Sequence, residues 1–244
     1  MDLNRQSLEL SIVLPAYEEA ESLKVLLPAL QSVLLRLGPS HEILVIDTPE
    51  PRDASPKICT DAGATYIPRE GGDCYGHAVR TGIARSRGRH VVLMDADGSH
   101  NPEFIERLWE KRHAADLVIA SRYVEGGKTE NPASLIFLSL MVNVAFRVVL
   151  GLPCRDVSNS FRLYHGDDLR ALRLSCDNFD IVEEILVLLA QAHKGYRILE
   201  IPSVFEERKA GKTKRKLMAF ALSYLAVLWR LRKLRSAAIR NNKS

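Results

Sequence analysis

The sequence predicts an α/β fold in which a mostly parallel central sheet is flanked by helices. Two observations predict it. Short apolar runs alternate along the chain with amphipathic segments, the pattern of strand, crossover helix and strand that builds parallel sheets. Polar residues stand directly after three of those runs, at Pro15 to Glu19, from Asp47 onward and at Asp95 to His100. In an open parallel sheet the loops beyond the carboxyl ends of the strands converge on the ligand, so these three are expected to line one crevice.

Each element has its own signature. Leu8 to Leu14 reads as a short buried strand. Ala20 to Leu37 reads as an amphipathic helix, with Leu23, Leu26, Leu27, Leu30, Val33, Leu34 and Leu37 at helical spacing. Glu42 to Ile46 is a second strand, followed by a Pro-rich turn from Thr48 to Pro56, a helix to about Ala62 and a brief strand at Thr65 to Ile67. Tyr75 to Arg87 is helical and His90 to Met94 is a strand. Asn101 followed by Pro102 opens another helix as a cap and first-turn proline, and Leu117 to Ala120 is again a strand.

A chain of 244 residues, 46% hydrophobic and 26% charged, suits one globular domain with a substantial core. Cys59, Cys74, Cys154 and Cys176 lack CxxC pairing or ligand-like spacing, which points away from a zinc site or a disulfide framework and toward a reducing compartment. The N-terminus carries Asp2 and Glu9 around only a short apolar run, Ile12 to Leu14. That is neither a signal nor a transit peptide, and a cytoplasmic location is expected.

The net charge of +4 conceals an asymmetry: residues 208–244 hold 12 Lys or Arg and no acid, against 22 basic and 30 acidic residues before them. Nucleic acid is not the expected partner, because the tail lacks interleaved aromatics and is interrupted by the apolar segment Leu217 to Trp229. A membrane surface fits better, each basic residue near anionic lipid contributing about 1 kcal/mol. Asn131 to Phe146 is free of charge for 16 residues and Leu217 to Trp229 for 13, both short of the roughly 20 needed to span hydrocarbon. Interfacial amphipathic helices are expected over 131–153 and in the basic tail 217–244, with buried core helices as the alternative.

The segment Asp95-Ala96-Asp97-Gly98-Ser99-His100 sets two carboxylates at the mouth of a buried strand. Their repulsion calls for an offset. Mg²⁺ or Mn²⁺ supplies it, taking one or two carboxylates and completing its shell with water and substrate phosphates. The alternative, a helix N-cap, explains Ser99 or Asn101 but does not require both aspartates.

Together with Pro15-Ala16-Tyr17-Glu18-Glu19, this segment resembles the family 2 glycosyltransferases of the GT-A fold, and within them the dolichyl-phosphate mannosyltransferase type. P-A-Y-E-E matches the family's P-x-Y-N-E, and D-A-D-G-S-H its D-x-D loop. Further matches are Gly76, Ala78 and Gly82 in a G-x-A-x3-G run; Ser121-Arg122-Tyr123 followed by Gly126-Gly127; Asp156 to Arg162 in the D-x-x-S-G-F-R position; and Phe205, Arg208 and Gly211 to Lys214 near the end. The resemblance runs from about Leu10 to Leu217, so residues 1–216 are expected to form the transferase domain.

The resemblance implies roles residue by residue. Pro15, Tyr17 and Glu19 would hold the nucleotide base and ribose, and Asp47 would contact the base. Asp95, Ala96 and Asp97 would serve the nucleotide sugar, with Asp97, Asp95 and Ser99 about the metal. Arg208 and Lys214 would reach the donor phosphates. Arg122 and Ser139, with Asn143 one turn beyond Ser139, would face the acceptor phosphate; two incidental polar residues on a core helix are the alternative for Ser139 and Asn143. The sequence departs from the pattern in three places: Asp47-Thr48 with the longer Pro49 to Asp53 loop, Asn159-Ser160-Phe161 for S-G-F, and Leu135 and Ile136 where relatives carry basic residues.

The implied reaction is inverting transfer of a sugar, mannose by the subtype's default, from a nucleoside diphosphate sugar to a polyprenyl or dolichyl phosphate at the cytoplasmic membrane face. Anchoring is then peripheral or through a partner subunit. A UDP-sugar donor with another acceptor, a nucleotidyltransferase and an inactive membrane-associated relative are the competing readings.

Overall fold

The computed structural model describes residues 8–130, 132–192, 195–205 and 227–233. In chain order it forms β1 (Leu10–Pro15), α1 (Ala20–Leu37), β2 (His41–Asp47), α2 (Ser55–Asp61), β3 (Thr65–Pro68), α3 (Tyr75–Arg85), β4 (His90–Leu93) and α4 (Phe104–Glu110). There follow β5 (Leu117–Ser121), β6 (Lys128–Thr129), α5 (Ala133–Leu150), β7 (Arg162–His165), α6 (Gly166–Arg170), α7 (Ile181–Ala192), β8 (Ile198–Pro202) and β9 (Val204–Phe205). Seven strands make one sheet in the order β3-β2-β1-β4-β7-β5-β8, and β6 pairs with β9 beside it.

The expected mostly parallel sheet is present, and β1 is buried along its whole length because both faces are covered. Leu10, Ile12 and Leu14 pack with Leu23, Leu27 and Leu30 of α1 and with Leu108 and Trp109 of α4. The alternate side chain Val13 joins Ile46, Val79, Ile83, Phe146 and Leu186 in a second layer, as the two-residue period of a strand dictates. Gly82 lets α3 lie against β1, since a Cβ there would enter the Val13 side chain.

One strand runs the other way. β7 is antiparallel to β4 and β5, with Leu93 opposite Arg162 and Ile119 opposite Arg162 on the other side. Its beginning therefore lies at the sheet edge where β1, β2, β4 and β5 end, and residues 159–161 join the loops of that edge.

Element ends differ from expectation for local reasons. α3 stops at Arg85 rather than Arg87 because Ser86 Oγ turns back to the Ile83 carbonyl and the Arg87 N–H donates to Glu42 Oε1 at 2.7 Å. The helix expected to open at Asn101 and Pro102 begins at Phe104, after a turn in which Asn101 Oδ1 accepts the Glu103 N–H.

The helix expected within 131–153 is α5, closed by Gly151 in the left-handed conformation. Asn143, Phe146 and Leu150 turn inward and are buried, whereas Phe137, Leu140, Met141, Val144 and Val148 form an exposed apolar stripe, Phe137 and Val148 being 64% and 71% exposed. Residues 227–233 of the basic tail are helical, with Leu231 buried in the second layer, and the rest of the helix expected over 217–244 lies outside the described residues. No described helix is long and apolar enough to cross a membrane.

Candidate active site

After β1, β2 and β3 the chain builds a platform of one ring and two guanidinium groups. Tyr17 is half-exposed; Arg52 lies over its ring at 5.1 Å and bonds its hydroxyl, and Arg69 lies 6.0 Å from the ring centroid. Arg69 is buried and joins the two loops, its N–H and Nε both donating to the Asp47 carbonyl and Nη2 to the Ala16 carbonyl. Arg52 also bonds Asp73 at 2.9 Å. Neither arginine was singled out for the site from sequence; the loop length around Arg52 was the available signal.

Asp47 is buried, its Oδ1 accepting the Thr48 N–H, and burial raises its pKa above the usual carboxylate value. Thr48 donates its hydroxyl to the Glu50 carbonyl at 2.6 Å and so shapes the longer loop. Pro15 ends β1 opposite Ile46. Glu19 precedes α1 and accepts the Ser22 hydroxyl. Asp53 receives the first N–H of α1 through Oδ2 and the Ser55 N–H through Oδ1, capping both α1 and α2. Between Tyr17 and Glu19, Glu18 has φ 55°, a left-handed backbone that suits the asparagine of the family pattern better than a glutamate.

The acidic loop continues from β4. Ala96 and Asp97 are buried, and Asp97 Oδ1 accepts both the N–H (3.0 Å) and the hydroxyl (2.6 Å) of Ser99. Asp95 Oδ1 accepts the hydroxyls of Tyr75 and Ser160, each at 3.0 Å. His100 braces the loop from behind: its Nδ1 accepts the Asp95 N–H at 3.1 Å, so Nε2 carries the proton and donates to Asn159 Oδ1 at 3.2 Å. Burial lowers its pKa, consistent with this neutral ring.

On the far side, Arg122 follows β5 and is held by Asp156 through Nε at 2.8 Å and Nη2 at 2.7 Å, with Nη2 also reaching Ser158 Oγ at 2.9 Å. Its guanidinium stacks near Tyr123 and Phe205. Asn143 ties α5 to the same loop: Oδ1 accepts the N–H groups of Val157 and Ser158, and Nδ2 donates to the Ser139 carbonyl and to Ser158 Oγ. Ser139 Oγ lies 3.4 Å from Asn143 Nδ2. Glu200, overlooked in the sequence, supports the loop from β8 by accepting from Ser121, Arg155 and Asp156. Arg208 and Lys214 lie outside the described residues.

The donor set suits a hard divalent ion that retains water. Among the described residues no group of three or more His, Cys, Asp or Glu is arranged to hold a metal. Two carboxylates that accept hydroxyl donors at Oδ1, with the Ser99 hydroxyl beside them, suit Mg²⁺ or Mn²⁺ bound jointly by protein and substrate phosphate.

The α/β fold, with its mostly parallel central sheet flanked by helices, is that of the GT-A glycosyltransferases. The chain belongs to glycosyl transferase family 2, whose sequence model matches residues 11–173, and is a glycosyltransferase. It is 35% identical over 216 residues to the undecaprenyl-phosphate mannosyltransferase of Micrococcus luteus, covering 83% of this chain and 85% of that protein. It is 31% identical over 214 residues to the polyprenol monophosphomannose synthase of Mycolicibacterium smegmatis, covering 83% and 79%. Glucosyl-3-phosphoglycerate synthase from Mycobacterium tuberculosis, solved with Mg²⁺ and uridine diphosphate, shares the fold at a TM-score of 0.69 and 17% identity, over 91% of this chain and 79% of that one.

Proposed function

We propose that this glycosyltransferase moves mannose, with inversion, from a nucleoside diphosphate sugar to a polyprenyl phosphate at a membrane surface. The observation that carries the reading is the order of side chains along one sheet edge. Asp47 and Tyr17 follow β2 and β1, Asp95 and Asp97 follow β4, Ser160 leads into β7 and Arg122 follows β5. Base, diphosphate, sugar and acceptor phosphate would lie along that edge in sequence. The relatives named for undecaprenyl-phosphate and polyprenol mannosylation support the acceptor and the sugar.

In this reading Tyr17, between Arg52 and Arg69, stacks the base. Asp95, Asp97 and Ser99 would hold Mg²⁺ or Mn²⁺, which would supply positive charge to offset that of the departing diphosphate. Arg122 faces the acceptor phosphate, whose second pKa is about 6, so the nucleophile is ionised near neutral pH and needs no strong general base. The exposed stripe of α5 and the positive charge of the tail sequence support contact with a lipid surface; in this reading the protein is peripheral on the cytoplasmic face, alone or with an anchoring subunit.

The test is incubation with GDP-mannose, or a panel of UDP-sugars, and a polyprenyl phosphate in the presence of Mn²⁺. The expected products are a nucleoside diphosphate and a glycosylated lipid phosphate. Release of pyrophosphate would mark a nucleotidyltransferase, and absence of glycolipid with every donor would overturn the proposal.

A further inference from the structure

Tyr75 and Ser160 converge on one oxygen of Asp95 from different parts of the chain. Tyr75 opens α3 with its ring stacked on Phe179 at 4.3 Å. A phenol is protonated near neutral pH, so the Tyr75 hydroxyl donates to the Asp95 carboxylate at 3.0 Å. Ser160 is buried just before β7 and stands where the family pattern has a glycine, which has no hydroxyl to offer. Both hydroxyls lie 3.0 Å from Asp95 Oδ1, whereas Oδ2 accepts no hydrogen bond from the described residues.

We propose that Tyr75 and Ser160 are positioning residues that clamp Asp95 so that it meets the divalent cation and the donor diphosphate through Oδ2 alone. The inference rests on the metal reading given above. A carboxylate turns about a broad, two-fold terminal torsion. Holding one oxygen with two donors from separate elements removes that freedom and selects single-oxygen contact. Such contact suits an ion that demands near-octahedral geometry and keeps several waters. Ser99 gives Asp97 a comparable restraint, with two donors on Oδ1. The serine in place of glycine thus supplies a second donor to a carboxylate that Tyr75 alone would leave hinged.

The test compares Tyr75→Phe, Ser160→Gly, the double variant and the hydroxyl-retaining Ser160→Thr. Mn²⁺ binding is read by electron paramagnetic resonance with saturating GDP or UDP, beside the KM for Mn²⁺ and kcat. Outer partners of metal ligands typically govern affinity by 10- to 100-fold. Each single loss is therefore expected to weaken Mn²⁺ binding about 10-fold and the double loss about 100-fold, with Ser160→Thr near the parent and thermal midpoints in the absence of metal unchanged. A parent that binds Mn²⁺ and a double variant within twofold of it overturn this inference alone. A parent that binds no Mn²⁺ overturns the metal reading and the inference with it. Should the double variant not fold, Ser160→Gly decides by the same criterion.

Discussion

Arg122 and Asp156 are joined at three points: Nε and the backbone N–H of Arg122 both donate to Oδ2 at 2.8 Å, and Nη2 donates to Oδ1 at 2.7 Å. Asp156 is fully enclosed and the Arg122 side chain is largely covered. Removing one partner of such a pair costs about 3 to 5 kcal/mol because the other charge stays buried. Asp156→Ala should lower stability by about that amount in urea unfolding. Arg122→Lys keeps the charge but loses the planar fork; turnover should fall about 100-fold or more, with the KM for the nucleotide sugar little changed.

Asp97→Asn keeps the shape and one acceptor for Ser99 while removing charge from the loop. Turnover should drop by about 100- to 1,000-fold, and Mn²⁺ should no longer raise the thermal midpoint in the presence of nucleoside diphosphate. Near-normal turnover in this variant would exclude Asp97 from the metal site.

Glu18 holds a left-handed backbone, and its ion pair with Arg52, at 3.8 Å and exposed, contributes little. Glu18→Asn or Glu18→Gly should therefore stabilise the protein by about 1 kcal/mol, read as a higher denaturant midpoint. A lower midpoint in both would show that the glutamate makes a compensating contact.

His90 starts β4 at the edge remote from the candidate site, opposite His165. Neither ring nitrogen has a hydrogen-bond partner among the described residues; burial, then His165, His113 and Arg112, push its pKa down to about 4. The folded state keeps the ring neutral while the unfolded chain takes up a proton below about pH 6.5. His90 therefore exerts no penalty above that pH, and stability falls as pH drops from 6.5 toward 4, by about 3 kcal/mol in full. Urea unfolding at pH 7.5 and pH 5 should show the loss, and His90→Phe should flatten it.

Much of the scaffold was legible because its residues carry one message each. The apolar spacing of α1 placed both of its ends, and β1, β2 and β4 were marked by apolar runs ending in polar loops. β7 was not legible: it contains Arg162, a residue that ordinarily marks a surface, here buried and bonded to the Val157 and Val182 carbonyls. In the site, the aspartates announced themselves by adjacency. Tyr75, Asn159 and Glu200 did not, because each acts on residues tens of positions away and the sheet order alone brings them together. The Arg52 and Arg69 flanks of Tyr17 were obscured in the same way.

Asn143 gives α5 a second property besides its greasy outer stripe. Its amide grips the 157–158 backbone and shares the Ser158 hydroxyl with Arg122. If the outer flank rests on lipid as proposed, a tilt of α5 would reach Arg122 through the Ser158 hydroxyl that both Asn143 and Arg122 bond.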